Sequence, residues 1–506
     1  MKWRRVACAT ALLPLIAGAA AMGQSSGSPA AATAEKKTPA AAPKHRLGPL
    51  EISINWRTRA EGYNWFQGGS GTSSYAFGHS LFRLAVGQTG ENWQWQVEAA
   101  QATILGAPSG ASIAAPQGPL GQGGNYFTAN QNHRYSANVF AKQAFVQLKA
   151  PRLGGTGSSV KLGRDEFFDG AEVKPRDATV AALVQTRVTQ RLLGNSGYSA
   201  VQRSFDGATF SWNQGDNNVT VFGARPTRGI YQTDGMGELD VDAFYGAFNR
   251  QVETKHSAGE FRVFAIGYID DRANIVKVDN RSTPARTADH GNIEIATFGA
   301  DYVHVFNTEV AGKFDMVGWG AVQTGSWGSL TQRSGALVGE VGWQPPVHFL
   351  APWLSAGYSY GSGDGNPNDG VHGTFFQVLT TPRMYARFSF YNMMNNEDLY
   401  AILQLHPTAK LALRSEAHTL RLANAADEWY QGSGASQLTS FGFTGRPSGG
   451  ARGLANVWDL NADYPLTRYL SATLYYAHAW GKGAIANVYP KNRDAQLAYL
   501  ETNFRF

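Results

Sequence analysis

Residues 494–506 read DAQLAYLETNFRF, and their alternation decides the fold. Counting back in twos from Phe506 gives Phe504, Thr502, Leu500 and Ala498; the other set is Arg505, Asn503, Glu501, Tyr499 and Leu497. Side chains of a strand point alternately to its two faces. Here one face is apolar and the opposite one carries Arg, Asn and Glu. Such a strand suits a wall between lipid and a water-filled lumen. It also suits the edge of a soluble sandwich, so the rest of the chain has to separate the two.

Upstream, strand-like stretches of about ten residues, bounded by Gly, Pro, Asn or Asp, recur along the chain. They begin near 50, 75, 92, 138, 159, 200, 217, 239, 260, 292, 309, 333, 352, 385, 409, 455, 468 and 495. This even count predicts an all-β chain, a closed transmembrane antiparallel barrel of about 18 strands. Connection lengths sort by parity. QTGEN at 88–92, NQGDN at 213–217, HPTAK at 406–410 and YPLTR at 464–468 are short. Connections near 105–137, 168–200, 272–291, 364–384 and 423–452 are long. Outer-membrane barrels have short periplasmic turns and long outer loops, whereas a soluble β protein has no reason to sort them. A repeat of 40–50 residues, as in a propeller, is absent.

The faces agree. In KLALRSEAHTL, Lys410, Ala412, Arg414, Glu416 and His418 share one side, with Leu411, Leu413, Ser415, Ala417 and Thr419 opposite. An Arg or Lys on the lipid face costs about 2–4 kcal/mol at mid-bilayer, so Arg414 and Glu416 are placed toward the lumen. The aromatic clusters EGYNWF, NWQW and ATLYYAHAW suit interfacial girdles. Phe506 is expected in the periplasmic girdle, with the last strand closing on the first. RDATVAALVQTRVTQRLL at 176–193 is helical in period and lies in a long connection, either on the rim or folded into the pore.

The start of the chain looks like an export signal. Lys2, Arg4 and Arg5 precede VACATALLPLIAGAAAMG, so residues 1–23 are read as a cleaved signal peptide. Residues 24–46, rich in Ala, Pro and Lys, are read as a flexible linker, and 47–506 as the barrel. The only cysteine is Cys8, so no disulfide is expected. Half of the net charge of +6 sits in the signal and half at 35–46, leaving 47–506 neutral. With no basic stripe, nucleic acid is not an expected partner.

Several segments resemble the alginate-export family of outer-membrane barrels. VKLGRDEFFDG (160–170) with QRSFDGATFSW (202–212) resembles its paired GR…FDG element. GYSYGSGDGNPNDGVHGTFFQ, EAHTLRLANAADEWY and VWDLNADYPLTRYLSATLYYAHAWGKG resemble later motifs, in the same order. The resemblance implies a monomeric outer-membrane barrel that lets an anionic polysaccharide, typically a polyuronate, leave the periplasm. Outer-membrane lipid and periplasmic export partners come with it, and no cofactor. It points to Arg164, Asp165, Arg203, Asp206, Asp364, His418, Arg421, Asp459 and Asp463.

Residue chemistry adds Arg225, Arg414, Glu416, Glu501 and Arg505 as lumen residues. A planar guanidinium meets a carboxylate with two hydrogen bonds, and nearby acids keep the binding weak enough for release. Arg421 shares the parity of Leu413 and Thr419, which favours the rim. A general or anion-selective porin for small solutes is the alternative. A barrel enzyme would need a nucleophile beside a base. His418 with Glu416 is the one tempting pair, and GSGDG is not G-x-S-x-G.

Overall fold

The computed structural model describes residues 45–149, 157–273, 275–381 and 387–506. The chain forms a closed barrel of eighteen antiparallel strands. The first six are β1 (Leu50–Asn64), β2 (Ser74–Thr89), β3 (Trp93–Leu105), β4 (Tyr135–Lys149), β5 (Ser159–Asp165) and β6 (Phe205–Gln214). Next come β7 (Asn217–Pro226), β8 (Val241–Glu253), β9 (Ser257–Asp270), β10 (Ile293–Thr308), β11 (Gly312–Trp327) and β12 (Leu330–Gln344). The last are β13 (Trp353–Gly361), β14 (Asn396–Leu405), β15 (Ala412–Arg421), β16 (Gly453–Pro465), β17 (Leu470–Gly481) and β18 (Asp494–Arg505).

Closure runs from Asn55↔Arg505 to Asn64↔Gln496, which leaves the wall no open seam between first and last strand. The expected apolar face of β18 looks outward, with Leu500 exposed, while Leu497, Tyr499 and Asn503 are buried inside. Phe506 stacks on His45 with ring centroids 3.5 Å apart and approaches Tyr469 at 6.1 Å, so it joins an aromatic cluster at the short-turn end. His45–Leu47 pairs with Leu50–Ile52, so 45 and 46, expected in the linker, extend the first hairpin. The expected signal peptide, 1–23, and most of the expected linker lie outside the described residues.

Two strands start later than expected, β6 at Phe205 rather than near 200 and β14 at Asn396 rather than near 385. The alternation of Phe388 and Phe390 resembles a strand, yet both rings are buried among aromatics inside the barrel. The long connections fold inward and meet there. Trp65, Phe66, Phe390, Trp429 and Tyr489 form one set of ring contacts, and Trp327, Phe376, Phe441 and Phe443 another. A parallel bridge joins Leu193 to Leu379, so segments 166–204 and 362–381 touch inside the lumen.

The helical stretch takes the inward placement. Asp177 caps it, its Oδ1 accepting the amides of Thr179 and Val180 at 2.8 and 2.9 Å. Helix α1 (Ala178–Leu183) runs into a π turn at Val184–Val188. Val180, Leu183, Val184 and Val188 then bury against a wall patch that includes Val303, Val305, Val317 and Trp353.

Candidate functional site

The inner wall is built by the strand period. On β1, Asn55, Arg57, Arg59, Glu61 and Tyr63 point inward and are buried, while Trp56, Thr58 and Ala60 take the other face. Arg59 bonds Glu501 through Nε at 2.8 Å, Glu61 at 3.1 Å and the carbonyl of Tyr198 at 2.9 Å. Arg57 donates to the carbonyls of Gly197 and Ser199. Arg83 on β2 lies 2.5 Å from Glu98 and 2.7 Å from Glu166. A bulge in β4 opposite Glu98 and Ala99 turns Lys142 inward beside Gln143, and its ammonium lies 3.3 Å from Glu166. On β9, Arg262 holds Asp301 at 2.7 Å and faces Asp169 at 3.8 Å and Glu172 at 3.7 Å.

A second set lines another part of the inner wall. Arg414, Glu416 and His418 are inward on β15. Arg414 is 2.8 Å from Glu416, and His418 Nδ1 is 2.9 Å from Asp398. Arg187, on the π turn, pairs with Glu340 of β12 at 2.8 Å, and the Tyr400 hydroxyl donates to the same carboxylate at 2.9 Å. Arg187, Arg191, Tyr400, Arg414, Glu416 and His418 line a small cavity of about 30 Å³. Arg387 donates to Asn461 on β16. A buried charge without a partner is expensive, so pairing acids with bases lets the interior hold this many ions while the barrel stays neutral.

The residues expected from the sequence divide. Arg414, Glu416, His418, Asp459, Asp463 and Glu501 share the inward parity. Asp459 accepts from the Tyr475 hydroxyl at 2.9 Å, and Asp463 accepts from Asn461 and Thr473 at 2.5 Å each. Asp165 points inward and pairs with Lys161, whose ammonium sits over the Phe145 ring. Arg505 is exposed at the short-turn mouth. Arg203 is fully buried, but inside the inward segment, donating to the Ser433 and Ala435 carbonyls. Asp364 belongs to the packed loops: its amide donates to Asp427, which also accepts from Thr374 and Tyr430.

Arg164, Asp206 and Arg225 are a correction, because they do not line the lumen. They share the parity of the exposed Leu162, Val221 and Phe244 and look outward from strand ends. Arg164 grips Asp206 with two bonds of 2.7 and 2.6 Å, and Arg225 bonds Asp242 at 2.8 Å. The GR…FDG element is thereby a wall staple. Arg164 is registered to Asp206 and Gly163 to Gly207. A Cβ at Gly163 would lie 2.3 Å from the Ala144 carbonyl, and one at Gly207 2.2 Å from that of Gly223. Arg421 also faces outward, bonding Glu397 at 2.7 Å, and Arg452 meets the same carboxylate at 2.7 Å. Its placement among the lumen residues by the resemblance is thereby corrected too, in line with its parity.

Arg57, Arg59, Arg83, Lys142, Arg187 and Arg262 were not singled out from the sequence. For the first two the signal was present: NWRTRAEGY sets Arg57, Arg59 and Glu61 two apart, opposite Trp56 and Ala60.

A sealed eighteen-strand wall with an ion-lined interior defines an outer-membrane channel of the bacterial cell, with an apolar face toward lipid and a polar interior for solute. The family model for alginate export matches residues 49–495, and the chain belongs to that family. Solved structures with the same fold include OpdK of Pseudomonas aeruginosa at 9% identity and TM-score 0.52, covering 90% of this chain and 98% of that one. OccK9 of the same organism gives 12% and 0.55, and OccAB2 of Acinetobacter baumannii 8% and 0.56, each over 90% of this chain and 98% of theirs. No curated protein matches the chain in sequence. Family and fold are those of transport channels.

Proposed function

We propose that the protein carries an anionic polysaccharide, an alginate-like polyuronate, out through the outer membrane. The observation that supports this most is the inward set of guanidinium groups, Arg57, Arg59, Arg83, Arg187 and Arg414, each beside a carboxylate or carbonyl. A uronate carboxylate can compete with such a partner for the guanidinium, and the displaced group recovers it when the sugar moves on, so the polymer passes from one arginine to the next. Binding stays weak because every arginine already has a partner. Passage requires the inward segments to yield, since 166–204 and 362–381 meet inside the lumen.

A second reading, uptake of small organic anions, is favoured by one feature. The space between Arg187, Arg191 and Arg414 is narrow, about 30 Å³ for water-sized occupants, and as it stands admits no polymer. The similarly folded OpdK is described with vanillate. Conductance in planar bilayers with polyuronate on the periplasmic side separates the two. Anion-selective current interrupted by polymer supports export; current blocked by benzoate-sized acids and indifferent to polymer supports uptake.

A further inference from the structure

Connection 166–204 leaves the long-loop end of β5 and returns there at β6, yet its tip reaches the opposite mouth. The Lys174 carbonyl accepts from Gln251 Nε2 at 3.3 Å, and the Arg176 amide donates to Gln251 Oε1 at 3.3 Å. Arg176 Nη2 meets Asp216, in the turn between β6 and β7, and Nη1 lies 3.3 Å from Glu253, the last residue of β8. Both partners mark the short-turn end. The segment therefore spans the lumen from one mouth to the other.

Its anchorage changes character along the way. Arg187 with Glu340, and Arg262 with Asp169 and Glu172, are buried. The tip is not: the side chains of Arg176, Asp216 and Glu253 are 51%, 51% and 56% exposed. Exposed pairs are weak, and other ions compete with them readily. Between the helix cap at Asp177 and the anchored Asp169 lies an arm in turns and bends, without helix or strand. It ends in exposed Lys174 and Arg176, with Pro175 between them.

We propose that this tip is an anion-receiving latch at the periplasmic mouth, with Arg176 the first site a polyuronate engages. The idea rests on the export reading for its ligand, but the latch itself does not. A uronate carboxylate displaces Asp216 and Glu253 from the guanidinium, and the arm from Val173 to Arg176 swings off the mouth. The buried anchors hold the rest of the segment in place. A polymer thus frees the entrance by occupying the group that closes it.

The experiment is single-channel recording on the full-length protein, comparing wild type, Arg176→Ala and the double variant D216N/E253Q. All three positions are exposed, and heat-modifiable mobility checks that each variant is folded. Both variants should raise basal conductance roughly two- to fivefold at low salt, a difference that shrinks at 1 M salt, as expected for exposed pairs of this strength. Polygalacturonate on the short-turn side should raise the wild-type current before blocking it. That rise is lost in Arg176→Ala, which lacks the receiving group. Wild-type basal conductance in both variants overturns the latch, whatever the polymer does. Raised basal conductance in both variants, with a wild type indifferent to polygalacturonate, keeps the latch and overturns the polyuronate as its ligand.

Discussion

Two populations of arginine sit on opposite faces of one wall. Arg57, Arg59, Arg83 and Arg414 point into the lumen and are held by Glu501, Glu166 and Glu416 or by carbonyls of the inward segment. Arg164, Arg225 and Arg421 point outward at strand ends and are held by Asp206, Asp242 and Glu397. The residue type and the kind of partner are the same. Only strand parity separates a group that faces the lumen from one that ties neighbouring strands together on the outer face. The GR…FDG element supplies Arg164 and Asp206 of the outward set, so a motif that staples the wall should not be read as a motif for the cargo.

The largest effect that tests this contrast is expected at Glu340. Its removal in Glu340→Ala strands Arg187 and the Tyr400 hydroxyl in the interior, a loss of about 3–5 kcal/mol for breaking one side of a buried pair. Urea titration followed by heat-modifiable mobility reads it. An unchanged midpoint would mean that the inward pairs are as replaceable as the outward ones. Next in size is Arg59→Ala. It releases Glu501 and Glu61 into the lumen, so anion preference should fall or reverse while the barrel stays folded, as measured by reversal potential in a salt gradient.

Much of this was legible in the sequence, for a physical reason. Alternation is local, so Arg414, Glu416 and His418 could be placed inward from KLALRSEAHTL alone. The start of every strand but two came close to where the wall has it. The inward connections were not legible. Phe388 and Phe390 alternate as a lipid-facing strand would, but they pack on Trp65, Trp429 and each other, contacts set by distant segments. The role of Arg164 was hidden because its meaning lies in its register with Asp206, forty-two positions away.

The outer loops supply a smaller, pH-dependent effect. Burial pushes the Asp427 carboxyl up to about 6, against hydrogen bonds from Thr374 and Tyr430. Burial likewise pushes Glu428 up to about 7, against the pull of Arg286. Both acids hold a proton more firmly in the folded loops than in an unfolded chain, where a carboxyl titrates near ~4. Their contribution is therefore complete below ~4 and is lost as pH rises through about 6 and about 7. Protease nicking of loop 422–452 should be slower at pH 5 than at pH 8, and the difference should vanish in D427N/E428Q. The smallest effect belongs to the outward set. Arg164→Ala should cost less than Glu340→Ala and leave conductance unchanged.

The most direct test is the reversal potential across a tenfold salt gradient, measured side by side for wild type, Arg59→Ala and Arg164→Ala. The inward arginines are predicted to set the charge preference: an anion-selective wild type, an unchanged Arg164→Ala, and an Arg59→Ala shifted toward cations. A shift in Arg164→Ala with none in Arg59→Ala would contradict the assignment of the two faces and the transport reading built on it.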